Sequence, residues 1–503
     1  MGRHTRWHEV VGIAALLFVV LCSLARAEAE LPSLNIDASQ TTVSGISSGA
    51  FMAVQFGVAH SASVRGVAAT AGGPYFCAGK DSWAGAGVSK AISRCMQGDP
   101  SYSTIPITEA DLAQMQNAAR AWSKHGNIDP VENLAHQRIW LFHGYNDGIV
   151  KRPVNDALYR WYRPFVPAAQ LFYKDHLPAA HAQISAICGT SKVCKPCAVT
   201  GGDFINTCHD GDASAPLYDG AGAALQFFYG PLTPPTAALS SKPQRFNQRP
   251  YIQRDGEPVL PLRVSMANEG YLYVPSACAS GRSCRLHVAF HGCMQQSERI
   301  GSDFVDKAGF NEWADANRIV VLYPQTVAAV SPPVTPLNPM GCWDWWGYND
   351  FAFNAPGHYA TQDGAQIAAV WRMVQRLAGG QVRDESSDAA ATGSPVLKVL
   401  NAAPRQVALA WTPVVGAVGY RVYRNQQVVG ETGFNTLVDD GLSPSTSFSY
   451  TVRVVDTAGK EGPASLSVSA STPPLPPACD PYFSLQQNKP VTRDNVPTTK
   501  TCP

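Results

Sequence analysis

Gly45-Ile46-Ser47-Ser48-Gly49 is a G-x-S-x-G element, and its surroundings decide what it can do. A short β-branched run from Thr41 precedes it. Phe51, Val54, Phe56 and Val58 follow at spacings compatible with a helix. A serine at such a strand-to-helix turn is lifted clear of the sheet, and the glycines permit both the strained backbone and close approach of amides to a substrate. The chemistry that suits it is nucleophilic attack on an acyl carbon. That attack needs a base to take the hydroxyl proton and a carboxylate to orient the base.

In the order Ser, acid, His, the acid follows a later strand. Residues 138–142 read as that strand and run into His143-Gly144-Tyr145-Asn146-Asp147-Gly148, which makes Asp147 the candidate acid. Residues 169–173 read as the next strand, and Ala179-Ala180-His181-Ala182 follows it. His181 is the candidate base, with His176 its nearest rival; His143 reads as a strand-end histidine, and Asp156 and Asp175 as solvated acids. Two amides must also meet the developing oxyanion. One belongs to Ser48, beside the nucleophile. The other is that of Cys293, in the His291-Gly292-Cys293 turn after a strand over 286–290.

That second turn comes late in the chain. In the usual α/β-hydrolase order an oxyanion strand, a helix, a strand and a helix precede the nucleophile strand. Here the same succession runs from 286 to 377, with helices expected over 303–317 and 363–377. The expected fold is therefore α/β, a circularly permuted α/β-hydrolase catalytic domain over 28–378, whose Pro-rich segment 230–250 joins the old ends. Residues 379–395 have the composition of a flexible linker. Residues 396–472 show short alternating runs that read as an all-β sandwich, and 473–503 form a Pro-rich tail. A flexible linker implies that nothing beyond it contributes to the chemical step.

Taken together, these motifs resemble those of the extracellular short-chain poly(3-hydroxyalkanoate) depolymerases whose oxyanion loop follows the triad. The resemblance spans about 31–377. It rests on the Ser47 element, the Asp147 turn, the His181 segment, Phe290-His291-Gly292-Cys293 and Cys342-Trp343-Asp344-Trp345-Trp346. It implies Ser47, Asp147 and His181 as the triad, Ser48 and Cys293 as oxyanion donors, and an insoluble aliphatic polyester as substrate. Such chemistry requires neither a metal nor an organic cofactor. Trp343, Trp345 and Trp346 fit equally a packed core and a groove for the polymer. The sandwich is similar to a fibronectin type III module, with Trp411 and Tyr420 at core positions and Phe448 where that family usually has a tyrosine. Two other readings of the whole chain are an esterase acting on feruloyl or acetyl groups of polysaccharides and a non-catalytic polymer-binding protein.

The chain's 503 residues exceed one compact core. With 45% hydrophobic and 15% charged residues and a net charge of +1, it offers no basic field for nucleic acid. Arg3 and Arg6, an apolar run over 10–24 and Ala25-Arg26-Ala27 read as an export signal over 1–27. The expectation is a secreted protein, extracellular or periplasmic, with no membrane segment after cleavage. Of thirteen cysteines, Cys22 leaves with the signal, so an even number remains for disulfides. Expected pairs are Cys278–Cys284, Cys293–Cys342 and Cys479–Cys502. The pairing of Cys77, Cys95, Cys188, Cys194, Cys197 and Cys208 stays open. The Cys194-Lys195-Pro196-Cys197 spacing would suit zinc, but an oxidising compartment favours disulfides.

Overall fold

The computed structural model describes residues 29–475, apart from 80–85, 99–106, 188–193, 255, 333–334, 354–356, 380–392, 415–416, 418, 434 and 457–459. The segments expected to be the export signal, most of the linker and the tail with Cys479 and Cys502 lie outside the described residues.

The catalytic region is built on an eight-stranded sheet. Its strands are β1 (Thr41–Ile46), β2 (Val64–Thr70), β3 (Arg138–Phe142), β4 (Leu171–Lys174), β5 (Gln244–Asn247), β6 (Glu269–Tyr273), β7 (Arg285–Phe290) and β8 (Ile319–Tyr323). They lie in the order β4-β3-β2-β1-β7-β8-β6-β5. All neighbours from β4 to β8 are parallel, while β6 is antiparallel to both β8 and β5. The central strands are buried almost throughout, as a sheet covered on both faces requires.

The permutation is visible in the chain ends. β7 belongs late in the sequence yet pairs directly with β1, in a register that sets Phe290 opposite Gly45. Helix α5 (Ala365–Leu377), which in the usual order would feed the nucleophile strand, stops beside the start of the domain: the Leu34 amide donates to the Leu377 carbonyl at 2.9 Å. The segment expected to join the old ends runs from α3 (Gly220–Tyr229) into β5, the far edge strand of the sheet.

Helix α1 (Ser48–Ala59) is buried along its whole length, which explains why no polar face interrupts its small and apolar residues. The helix expected over 303–317 is divided: Asp303–Lys307 is separated from α4 (Phe310–Asn317) by Gly309, whose φ of 91° ends the first piece. Between β3 and β4 lies α2 (Arg152–Tyr162).

Beyond the linker, β9 (Leu397–Ala403), β10 (Gln406–Trp411) and β13 (Thr436–Asp439) form one sheet. The other consists of β11 (Gly419–Arg424), β12 (Gln427–Thr432), β14 (Ser447–Val455), β15 (Glu461–Ala464) and β16 (Val468–Ser471). This is the fibronectin-type sandwich, with Trp411, Tyr420, Val422, Leu437, Tyr450 and Val452 in its core. Phe448 has no hydroxyl to bond back to the backbone; the nearby Tyr450 hydroxyl donates to Asp439 Oδ2 at 2.7 Å. The sandwich does not stand apart. Ala403, Ala408 and Val438 share one buried apolar cluster with Trp140, Phe172 and Phe227 of the catalytic region.

Candidate active site

Ser47 sits between β1 and α1 with φ 56° and ψ −123°, a left-handed conformation costly for a side-chain-bearing residue and characteristic of a strained nucleophile turn. The two glycines of the motif are there for space. A Cβ on Gly45 would lie 2.1 Å from the Gly49 carbonyl oxygen, and one on Gly49 would lie 2.3 Å from that of Phe290 and 2.4 Å from that of His291. Gly49 thus lets the start of α1 press against the end of β7. Gly49→Ala is expected to cost about 3 kcal/mol, since the obstruction is backbone that cannot rotate away. Denaturant unfolding measures it, and turnover should fall with the displaced helix.

The same close approach brings the late turn over the serine. Gly292 follows β7, and a Cβ there would lie 3.4 Å from Ser47 Cβ. Among the described residues, neither the Ser48 nor the Cys293 amide has an internal acceptor. His291 anchors this turn as a neutral ring: Nδ1 faces the Gly292 carbonyl at 2.7 Å, and Nε2 accepts from the Thr326 amide at 3.2 Å. Burial pulls its pKa down to about 4. Cys293 is disulfide-bonded to Cys342, tying the turn to the tryptophan segment.

Asp147 and His181 come together from successive loops, with His181 Nδ1 2.7 Å from Asp147 Oδ2. The other carboxylate oxygen accepts from the amides of Ile149 at 2.8 Å and Val150 at 3.1 Å. Burial by itself would raise the Asp147 pKa. The charge of His181 and its hydrogen bond, helped by His143 and the Ile149 amide, outweigh burial and hold the carboxyl below its ordinary range. The two loops are zipped together by Tyr145 N donating to Leu177 O and Asn146 N to Ala179 O. Gly144 is needed there, because a Cβ would lie 2.1 Å from the Ala179 carbonyl oxygen.

The rival groups point elsewhere. His176 Nε2 lies 3.7 Å from Asp210 beside Lys174. His143 Nε2 donates to the Val150 carbonyl. Asp156 and Asp175, read from sequence as solvated, are partnered instead: Asp156 accepts from the Tyr173 hydroxyl and Asp175 pairs with the buried Arg152.

Ser47 and His181 line one cleft of about 440 Å³, walled by Ile46, Phe204, Met294, Met340, Trp345 and Trp346. Of the three tryptophans, Trp343 does not reach it. That ring is fully buried against Phe290 and His291, where it packs the end of β7. Trp345 stacks on Phe51 with ring centroids 4.2 Å apart, and Trp346 lies against it edge-on.

Two contributors escaped sequence reading. Gln295 accepts from the Gly292 amide at 2.7 Å and donates to the Asp203 carbonyl at 2.8 Å, so it links the Gly292 turn to the loop that packs on His181. Phe204, at φ 54°, lies edge-on to the His181 ring. Gln295 three residues after Gly292 was the available signal; Phe204 left none. Its loop is fastened by Cys197–Cys208. Cys77–Cys95 and Cys278–Cys284 are also bonded, as is Cys194.

No family model matches the chain. It is 36% identical over 466 residues to a poly(3-hydroxybutyrate) depolymerase of Delftia acidovorans, covering 91% of this chain and 84% of that protein. It is 34% identical over 372 residues to a polyhydroxybutyrate depolymerase of Talaromyces funiculosus, covering 72% and 96%. The crystal structure of the PHB depolymerase from Penicillium funiculosum superimposes with a TM-score of 0.57 at 31% identity, covering 70% of this chain and 99% of that one. A serine-to-alanine PHB depolymerase complexed with an R3HB trimer matches equally. The late oxyanion strand, the serine turn and relatives matched over most of their length agree: this chain belongs to the poly(3-hydroxybutyrate) depolymerase family.

Proposed function

We propose that the protein is a secreted serine esterase that hydrolyses poly(3-hydroxybutyrate) or a related short-chain polyester to hydroxyacid monomers and oligomers. The observation that carries this reading is the shared cleft: a strained serine and a carboxylate-bound histidine line one cleft of about 440 Å³ with mostly apolar walls.

In the proposed mechanism Ser47 Oγ attacks the ester carbonyl carbon while His181 Nε2 takes the hydroxyl proton. The negative charge that develops on the carbonyl oxygen is met by the Ser48 and Cys293 amides. The C–O bond to the leaving chain then breaks, and His181 returns the proton to its alkoxide. Water attacks the acyl-Ser47 ester by the same route in reverse, releasing the acid and restoring the hydroxyl. Asp147 keeps the imidazole oriented and stabilises its charged form. Ile46, Phe204, Met294 and the two tryptophans match the methyl and methylene groups of the substrate, leaving polar recognition to the ester.

Export is part of the proposal. The basic start, apolar run and Ala25-Arg26-Ala27 suit a cleaved signal, and the disulfides suit an oxidising compartment. Among the described residues no helix is long and apolar enough to cross a membrane.

A poly(3-hydroxybutyrate) film and a soluble aryl ester, presented in parallel, test the substrate. Clearing of the film with release of hydroxybutyrate is the expected result. Ester hydrolysis with an intact film would instead indicate the polysaccharide esterase, and inertness toward both would indicate a non-catalytic binder.

A further inference from the structure

The fibronectin-type sandwich meets the catalytic region along β4, the edge strand of the eight-stranded sheet. An edge strand carries unpaired backbone groups that proteins commonly cover. Here the Gln406 side chain supplies part of the cover, accepting from the Tyr173 amide at 2.8 Å. The next residue, Lys174, ends β4, and the segment that follows leads to His181.

Lys174 is a joint between three parts of the molecule. Its carbonyl accepts from the His143 amide at 2.9 Å, at the start of the Asp147 loop. Its side chain is fully buried, and Nζ donates to Asp210 Oδ1 at 2.7 Å and to Asn401 Oδ1 of β9 at 2.8 Å. The same ammonium lies 4.4 Å from the centre of the Tyr218 ring, and Asn401 Nδ2 donates to the Tyr218 hydroxyl at 2.9 Å. A buried ammonium is tolerated only where its donors are satisfied, so an acceptor on the sandwich is part of what keeps this corner in place. Burial pulls the Lys174 pKa down, and Asp210 works against that shift.

We propose that the sandwich is a working part of the catalytic unit, and that Asn401 is a positioning residue which, through Lys174, holds the loop carrying His181 in register with Asp147. The proposal rests on His181 being the base. It replaces the expectation that everything beyond the linker is irrelevant to the chemical step. Asn401 touches no substrate; it acts by fixing the end of β4.

The test uses the full chain carrying Asn401→Ala or Asn401→Asp, assayed on a soluble aryl ester so that adsorption to polymer plays no part. Asn401→Ala should lower kcat about tenfold, a modest displacement of the base, with KM within about a factor of two. Hydrogen exchange should accelerate in 175–187 while 41–59 is unchanged. Asn401→Asp keeps an acceptor for the ammonium and should restore most of kcat. An unchanged kcat in folded Asn401→Ala, or equal losses in both variants, overturns the proposal. If Asn401→Ala fails to fold, wild-type exchange under mild denaturant decides. Residues 175–187 opening together with 397–411 supports the coupling, and independent opening overturns it. His181→Ala is the separate control. Full activity in that variant would remove the base assignment itself, whatever Asn401 does.

Discussion

Ser47→Ala is expected to lower turnover of a soluble ester by on the order of 10⁶ while leaving the fold intact. The first half follows from the proposed chemistry: among the described residues that line the cleft with His181, Ser47 alone carries a hydroxyl, and the Ser48 hydroxyl beside it accepts from the Trp343 amide. With the nucleophile gone, only the donors of the oxyanion site and substrate binding remain, and these give a small residual rate. The second half follows from the backbone. Alanine at φ 56° carries the same Cβ penalty that serine already bears, and the Ser47 side chain makes no capping bond to the start of α1. Unfolding should therefore stay cooperative with a nearly unchanged midpoint, read by denaturant titration. A folded Ser47→Ala protein that still turns over the ester at the parent rate would remove Ser47 from the mechanism. It would equally remove the cleft beside it as the proposed substrate site.

Much of this site was legible because it rests on short-range rules. The glycines of the serine turn answer to clashes of 2.1 and 2.3 Å with backbone. The order of serine, acid and histidine answers to successive parallel strands, each delivering its loop to the same sheet edge. Even the place of the late turn was readable, since β7 had to lie beside β1 for His291-Gly292-Cys293 to come near Ser47. What sequence did not carry were contacts between residues far apart and of unremarkable type. Gln295 bridges to Asp203 across 92 positions, and Asn401 reaches Lys174 across 227. Trp343 and Trp345 are two residues apart and have the same chemistry. One packs the end of β7 and the other faces the cleft, and only the path of the loop after Cys342 separates them. The linker's composition was equally silent about docking, because a polar and glycine-rich tether is compatible with either a free or a seated module.

Asp147→Asn should cost on the order of 10⁴ in kcat with KM nearly unchanged, and the surroundings of this carboxylate say why the substitution is so damaging. One oxygen faces His181 Nδ1 and the other accepts from the Ile149 and Val150 amides. An asparagine in this place has one acceptor and one donor end. The two backbone N–H groups require the acceptor, so the side-chain NH₂ is turned toward His181. Nδ1 must then accept, which puts the ring proton on Nε2, the atom that has to take the proton from Ser47. The imidazole is held in the wrong tautomer by the same loop that held it in the right one. Asp147→Ala should be less specific in its effect: with no donor facing Nδ1, a fraction of rings can still carry the proton there, so this smaller variant should retain at least as much activity as Asp147→Asn. The comparison is made by steady-state kinetics on a soluble ester, with near-ultraviolet dichroism to establish that both variants are folded. If Asp147→Asn keeps activity within about tenfold of the parent, a loss far short of what a wrong tautomer costs in the serine-protease triad, the orienting role belongs to another group. Asp156 and Asp175 are poor substitutes, because Tyr173 and Arg152 already hold them.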